Sequence, residues 1–246
     1  QVLNDIIISL FTNIETKTYD EINYFFKKYI LRVNNFDGSI TASSYLKKNK
    51  FFKPLPAPYI HFPSKRPYTL ILDLDETLVH FKVKSSKGGT LRARPYLFGF
   101  LEEVGHYYEL IIWSSTNEAY TNSLIDAVEY EKKYFDYVLY REHSIIIGDD
   151  FVKDLRRVGR DLDKIIIIDD MPQNFRLQKE NGITIKPFYG DDFDDSALYE
   201  LVPILKHIAE ERNDVRVGLR KYREEIIKKV SSNISKKYYI PILIKS

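Results

Sequence analysis

From Tyr68 onward the sequence predicts an α/β domain: a parallel β-sheet flanked by helices, with a small β insert and no large cap domain. Three observations predict it. Short apolar runs alternate with helical stretches over most of the chain. Two of those runs, Leu70-Ile71-Leu72 and Ile165-Ile166-Ile167-Ile168, are apolar at successive positions, as strands covered on both faces require. Both run into aspartate, Asp73 and Asp169, and the carboxyl ends of strands are where open α/β sheets gather their ligands.

Residues 1–50 are helical in pattern. Ile22, Phe25, Phe26, Tyr29 and Ile30 recur on one helical face behind a cap at Asp20, and Ile6, Ile7, Ile8, Leu10 and Phe11 form an apolar patch before it. Residues 51–67 carry Pro54, Pro56, Pro58, Pro63 and Pro67, which lock φ and remove donors, so a stiff connector and a boundary are expected there. The division is then a helical extension with its connector over 1–66, the α/β domain over 67–235, and a tail over 236–246. Within the domain, 69–72 is the first strand, and Pro95 opens a short helix through Phe100, Leu101 and Val104. Residues 108–113 form the next strand, followed by a helix over 117–128 and extended chain over 137–140. Ile145-Ile146-Ile147, Gly148-Asp149-Asp150 and Phe151-Val152 read as a hairpin or tight turn. A buried strand over 165–168 and a short one over 183–185 complete the sheet. Two helices follow, over 196–211 and 214–231. In the second, Val215, Leu219, Tyr222, Ile226 and Val230 make an apolar stripe beneath a basic surface. The tail over 238–244 is apolar and extended.

Composition narrows the function. Hydrophobic residues are 44% and charged residues 29% of 246, ordinary for a globular protein of one large domain with an appendage. Lys and Arg total 37 against 35 acids, a net charge of +2. That balance lacks the concentrated positive field that binding a phosphate backbone needs, so nucleic acid is not an expected partner. The absence of cysteine excludes disulfides, thiolate metal sites and cysteine nucleophiles. No apolar run reaches the length of a membrane span, and the first residues do not read as a signal peptide. The chain opens on Gln1 rather than Met, which leaves open a targeting segment lost from a longer parent.

The chemistry lies at the strand ends. Asp73-Leu74-Asp75-Glu76-Thr77 follows the first strand, and extended backbone would point Asp73 and Asp75 the same way. Like charges held together are commonly relieved by a cation, although one Asp-x-Asp is equally well an acidic surface turn. The second acidic strand end, Asp169-Asp170, shifts that balance. Neighbouring parallel strands would bring both clusters to one edge as an all-oxygen site suited to Mg2+. Ser114 adds a hydroxyl at a third strand end, and Lys153 adds a cation after the hairpin. A carboxylate nucleophile, a nearby acid, a hydroxyl, a lysine and an oxygen-lined metal site are the apparatus of phosphoryl transfer.

This order of motifs resembles the haloacid dehalogenase superfamily, and within it the FCP/SCP-type phosphatases, which act on phosphoserine in the RNA polymerase II tail and on related proteins. The resembling segments are Asp73-Leu-Asp-Glu-Thr-Leu-Val-His80, Arg94-Pro95, Arg141-Glu142, Val152-Lys153-Asp154-Leu155, Gly159-Arg160-Asp161-Leu162 and Asp169-Asp170-Met-Pro172. The resemblance implies a haloacid-dehalogenase-like fold and roles for each residue. Asp73 is the implied nucleophile, and Asp75 the acid and then base, with its backbone carbonyl toward the metal. Thr77, Ser114, Arg141 and Lys153 are the implied phosphate-binding set, with Thr77 also steadying its loop. Asp73, Asp75, Asp169 and Asp170 are the implied Mg2+ site. Three features depart from the family pattern: Asp170 stands where the family usually has Asn, Ser114 where it has Thr, and the stretch 79–94 is shorter than the insert that helps form a proline-reading pocket. Specificity for the polymerase tail is therefore not carried over.

Other features have simpler explanations. His61, His80, His106, His143 and His207 lack metal-ligand spacing. The acidic run Asp191, Asp192, Asp194, Asp195 lacks the glycine and glutamate of a calcium loop and is better explained by helix capping. Arg216, Arg220, Lys221, Arg223, Lys228 and Lys229 read as a solvated helix surface, and Trp113 as core beside Ser114. With only a helix and a strand between Asp73 and Ser114, no large lid is expected, which favours a phosphoprotein substrate. A second expectation stays open. Arg176-Leu177-Gln178-Lys179-Glu180-Asn181 also resembles the mitochondrial inner-membrane import receptor of this fold, which implies a binding subunit docked into a larger assembly through residues 1–66 and the tail. The expected compartment is nuclear or cytoplasmic for the enzyme and mitochondrial for the binding subunit.

Overall fold

In a computed structural model of the chain, the structure describes residues 55–83, 89–148 and 150–231. The helical pattern of 1–50, the tail and Asp149 of the expected turn lie outside them. The first strand, β1 (Tyr68–Leu72), is followed by the hairpin β2 (Val79–Val83) and β3 (Gly89–Ala93) and by helix α1 (Leu97–Val104). Then come β4 (Tyr108–Trp113), α2 (Glu118–Val128), β5 (Tyr137–Leu139) and a second hairpin, β6 (Ile145–Ile147) with β7 (Asp150–Val152). Strands β8 (Ile165–Asp169) and β9 (Gly182–Thr184) precede the helices α3 (Ala197–Glu210), α4 (Val215–Lys221) and α5 (Arg223–Lys229).

The main sheet has five strands in the order β5-β4-β1-β8-β9, and each pairing is parallel. Its strands are apolar at successive positions because both faces are covered. Leu70, Leu72, Leu110, Ile112, Ile166 and Ile168 pack beneath α1, α2 and α3. The alternate residues Ile71, Ile111, Trp113, Ile165 and Ile167 pack on the opposite face with Ile60, Leu155, Val158 and Phe175. Trp113 is fully buried, as the sequence suggests. Both hairpins are small β inserts beside the sheet, and β2–β3 follows directly on the loop that carries Asp73.

The proline-rich segment does not stand clear of the domain. Tyr59 N–H donates to Arg157 O at 2.8 Å and Ile60 N–H to Val158 O at 3.0 Å. Ile60 is buried in the second core cluster. Its carbonyl runs so close to Gly159, at φ 92, that a Cβ there would lie 2.4 Å from it. Only glycine tolerates both that φ and that approach. The helix expected over 214–231 divides at Tyr222 into α4 and α5. The first half packs Val215 and Leu219 into the core. The second carries Val230 to the end of β9, where its carbonyl accepts from Lys186 N–H at 3.0 Å.

One buried ion pair ties the helical layer to the loop below β1. Arg94, 1% exposed, donates to Asp195 through Nε at 3.0 Å and Nη2 at 2.8 Å. It also donates to Thr77 O at 3.1 Å and Lys186 O at 2.9 Å. Asp195 Oδ1 accepts from Ala197 N–H at 3.0 Å and so caps α3, which accounts for the one buried member of the acidic run. Burial alone would raise the Asp195 carboxyl, but Arg94 holds it below the usual carboxylate range. Arg94→Met strands a buried carboxylate and is expected to cost about 3–5 kcal/mol in urea unfolding at neutral pH. The stability gap between the wild type and Asp195→Asn is fully present above the unfolded carboxylate pKa. It narrows as pH falls through the depressed folded value, which parallel unfolding series at descending pH would register.

Candidate active site

The register of the sheet builds the site. Leu72 is paired with Ile168, so the next residues, Asp73 and Asp169, emerge side by side, and Asp73 N–H donates to Ile168 O at 2.9 Å. Two residues on, Asp75 bridges Val79. The chain then turns at Glu76, at φ 58. The turn is closed by Leu78 N–H to Leu74 O at 2.9 Å and Glu76 N–H to Val79 O at 2.8 Å.

Lys153, directly after β7, completes the centre. It has no exposed surface, and its Nζ donates to Asp73 Oδ1 and to Asp169 Oδ2, each at 2.6 Å. Burial alone would lower its pKa, but Asp169 and Asp73 raise it above the ordinary lysine value, so the ammonium stays charged. Asp169 is held by Met171 N–H at 2.8 Å and by Asn174 Nδ2 at 3.0 Å, both donating to Oδ1. The Asn174 carbonyl in turn accepts from Lys153 N–H at 2.6 Å. Burial pushes Asp170 up, and the charges of Asp73 and Asp169 push it further. Asp73, Asp169 and Asp170 each offer a carboxylate oxygen, all within 4.8 Å of one another. Three acids facing one lysine leave excess negative charge. An all-oxygen set of this kind fits a hard divalent cation. Among the described residues no other group of histidine, cysteine or acidic side chains converges in this way.

The side chain of Asp75 lies outside that set. Its Oδ1 accepts from Tyr120 Oη at 2.8 Å, and its Oδ2 is buried with no hydrogen-bond partner. Burial pushes its pKa up to about 7; the Tyr120 bond opposes the rise, and the charges of Asp73 and Glu76 add to it. Thr77 is fully buried, and its Oγ1 accepts from Asp170 N–H at 3.2 Å, tying the two acidic loops together. Ser114 Oγ lies 2.7 Å from Thr116 Oγ1 and accepts from Thr116 N–H at 3.1 Å. Arg141 Nε donates to Ser115 O at 2.7 Å, and its guanidinium lies over the Phe151 ring at 5.2 Å. The predicted residues thus gather at the carboxyl edge of the sheet. Asp73, Lys153, Asp169 and Asp170 form its centre, Asp75 and Thr77 its first loop, and Ser114 and Arg141 the loops after β4 and β5.

Sequence reading missed Tyr120 and Asn174. Asn174 follows Asp169 closely enough for an amide to be suspected as its partner. Tyr120 stands 45 residues from Asp75, and no spacing signals that contact. The segment 176–181 also has structural work within this chain. Gln178 accepts from Leu155 N–H and donates to Asp154 Oδ1, each at 3.0 Å, bracing the loop behind Lys153.

Comparison with known proteins fits this geometry. Residues 68–216 match the model of the NLI interacting factor-like phosphatase family. The chain belongs to that family. All eight predicted site residues fall inside the matched span. Among its relatives, CTD small phosphatase-like protein 3 of Caenorhabditis elegans is 35% identical over 184 residues, covering 68% of this chain and 64% of the relative. CTD small phosphatase-like protein 2 of Dictyostelium discoideum is 34% identical over 167 residues, covering 62% of this chain and 29% of the relative. The mitochondrial import inner membrane translocase subunit TIM50 of Yarrowia lipolytica is 37% identical over 168 residues, covering 68% and 35%. The chain therefore spans less than two thirds of the length of these relatives. The solved structure of Fcp1, an essential RNA polymerase II CTD phosphatase, aligns at 24% identity and TM-score 0.43, covering 65% of this chain and 53% of that one.

Lys153→Met removes the cation between two buried carboxylates. It is expected to lower the unfolding free energy by about 3–5 kcal/mol in metal-free protein at neutral pH. Urea unfolding monitored by circular dichroism measures the loss.

Proposed function

We propose that this chain is a magnesium-dependent phosphoserine/phosphothreonine protein phosphatase that works through an aspartyl-phosphate on Asp73. The observation that carries the reading is the Lys153 ammonium lying 2.6 Å from both Asp73 and Asp169 at adjacent strand ends. A charged lysine there keeps the Asp73 carboxylate in place and offsets the charge that builds on a phosphoryl group. In the first half-reaction an Asp73 oxygen bonds to phosphorus, and the bond from phosphorus to the serine or threonine oxygen breaks. Asp75, whose pKa of about 7 lets it carry a proton near neutrality, gives that proton to the departing oxygen. In the second half-reaction Asp75 takes a proton from water as the water oxygen bonds to phosphorus. The Asp73–phosphorus bond breaks, and inorganic phosphate leaves. Ser114 and Arg141 supply hydroxyl and guanidinium donors to the phosphoryl oxygens, and Thr77 keeps the loops of Asp73 and Asp170 in register. Mg2+, held by Asp73, Asp169, Asp170 and the Asp75 carbonyl, would supply positive charge opposite the phosphoryl oxygens.

A phosphoprotein suits the site better than a small metabolite. Between β1 and β4 the described residues form only the β2–β3 hairpin and the eight-residue helix α1. Neither amounts to a lid domain that could enclose a small molecule. The identity to TIM50 subunits supports a second reading, a binding subunit of a larger assembly in which the phosphatase centre is dormant. Docking would then use residues 1–66 and the tail. Asp73, Asp75 and Thr77 are all retained, which favours the enzyme. No described helix is long and apolar enough to cross a membrane.

The purified chain is expected to hydrolyse an aryl phosphate and a phosphoserine peptide only with Mg2+. Asp73→Asn should lower kcat by at least about 10³-fold. No turnover, together with no capture of a phosphate analogue at Asp73, would leave the binding-subunit reading ahead. Mg2+ is also expected to raise the melting temperature of the wild type, and Asp169→Asn to abolish that rise; an equal rise in both would remove Asp169 from the metal site.

A further inference from the structure

The first turn of α2 links two parts of the site that are far apart in sequence. Asn117 caps the helix, its Oδ1 accepting from Tyr120 N–H at 3.0 Å. The Tyr120 hydroxyl donates to Asp75 Oδ1 at 2.8 Å. Its ring packs against the main core and meets Phe81 of β2 edge to face, with centroids 6.5 Å apart. The next residue, Thr121, places its Oγ1 2.9 Å from Thr116 Oγ1, which lies 2.7 Å from Ser114 Oγ. A single capped turn therefore seats both the Asp75 carboxyl and the Ser114 hydroxyl.

The two oxygens of Asp75 are unlike. Oδ1 is engaged by Tyr120, whereas Oδ2 is buried with no hydrogen-bond partner. An unpaired buried oxygen is costly, and its persistence beside a paired one marks it as the oxygen left for a ligand. Rotating the carboxyl would break the Tyr120 bond, so one hydroxyl fixes which oxygen is free. We propose that Tyr120 is a positioning residue that locks the Asp75 carboxyl with Oδ2 presented to the leaving oxygen of the substrate. The inference rests on the reading of Asp75 as proton donor and goes beyond it by assigning the donor atom and the group that aims it.

The test uses the leaving group. A serine alkoxide needs a proton to depart, whereas p-nitrophenolate does not, so loss of aim at Asp75 harms the first substrate selectively. Tyr120→Phe keeps the ring and removes only the hydroxyl. On a phosphoserine peptide the rate of the first half-reaction, read in the pre-steady-state burst before Asp75 acts as base, is expected to fall about tenfold, the effect of one lost orienting hydrogen bond. On p-nitrophenyl phosphate it should fall less than about twofold. In an Asp75→Asn background, Tyr120→Phe should cause no further loss. An equal loss on both substrates, no loss on either, or a full additional loss in that background overturns the proposal. If Tyr120→Phe does not fold, Tyr120→Met, which also removes the hydroxyl and leaves the Asn117 cap in place, carries the same comparison, with the selective loss expected and any of those three results overturning the proposal. A wild type inactive on both substrates sinks the phosphatase reading and this inference with it. An active wild type with an unselective Tyr120→Phe sinks the positioning role alone.

Discussion

A lysine with no exposed surface donating at 2.6 Å to two carboxylates on neighbouring strands is the contact around which this protein is arranged. Charges removed from water must be paired and hydrogen-bonded, or they neutralise. Each neighbour of Lys153 meets that demand. Asn174 and the Met171 amide saturate Asp169, Gln178 braces the loop behind the lysine, and the parallel register brings Asp73 and Asp169 level.

The same logic runs outward from the sheet. Arg94 satisfies Asp195, the carbonyl of Thr77 and that of Lys186 at once. The helix α3, the loop after β9 and the loop after Asp73 therefore share one buried cation. Thr77 then passes this anchoring to Asp170 through its hydroxyl. The acidic centre is thus supported from both directions: from beneath by the hydrophobic layers on each face, and from the side by a chain of polar contacts.

Excess negative charge is the other theme. Asp170 and Asp75 are both pushed above the ordinary carboxylate range, by burial first and by their neighbours second. The two are handled differently. Asp170 joins Asp73 and Asp169 in the cluster that suits a cation, while Asp75 sits apart against a tyrosine. On two neighbouring loops the fold thus separates an acid that joins the cation-suited cluster from one set apart against a tyrosine.

Much of this was legible in the sequence. The runs 70–72 and 165–168 announced strands covered on both faces, because extended chain that is apolar at successive positions turns apolar side chains to both sides of a sheet. Asp73, Asp169, Ser114 and Lys153 were readable because each ends or follows such an element, and their order resembles a known family. The hairpin around Gly148 and the helix over 117–128 were readable from local pattern, which acts over a few residues. Contacts between distant segments could not be read in this way. Nothing near Tyr120 indicates that its hydroxyl meets Asp75, nothing near Arg94 names Asp195 across 101 residues, and the prolines that predicted a stiff connector give no sign that Ile60 packs in the core. Local pattern determined which residues form strands and where the acids lie along them. Only the tertiary structure decided which atoms of those acids are paired and which are left free, because that depends on side chains brought together by the register of the sheet and the packing of helices upon it.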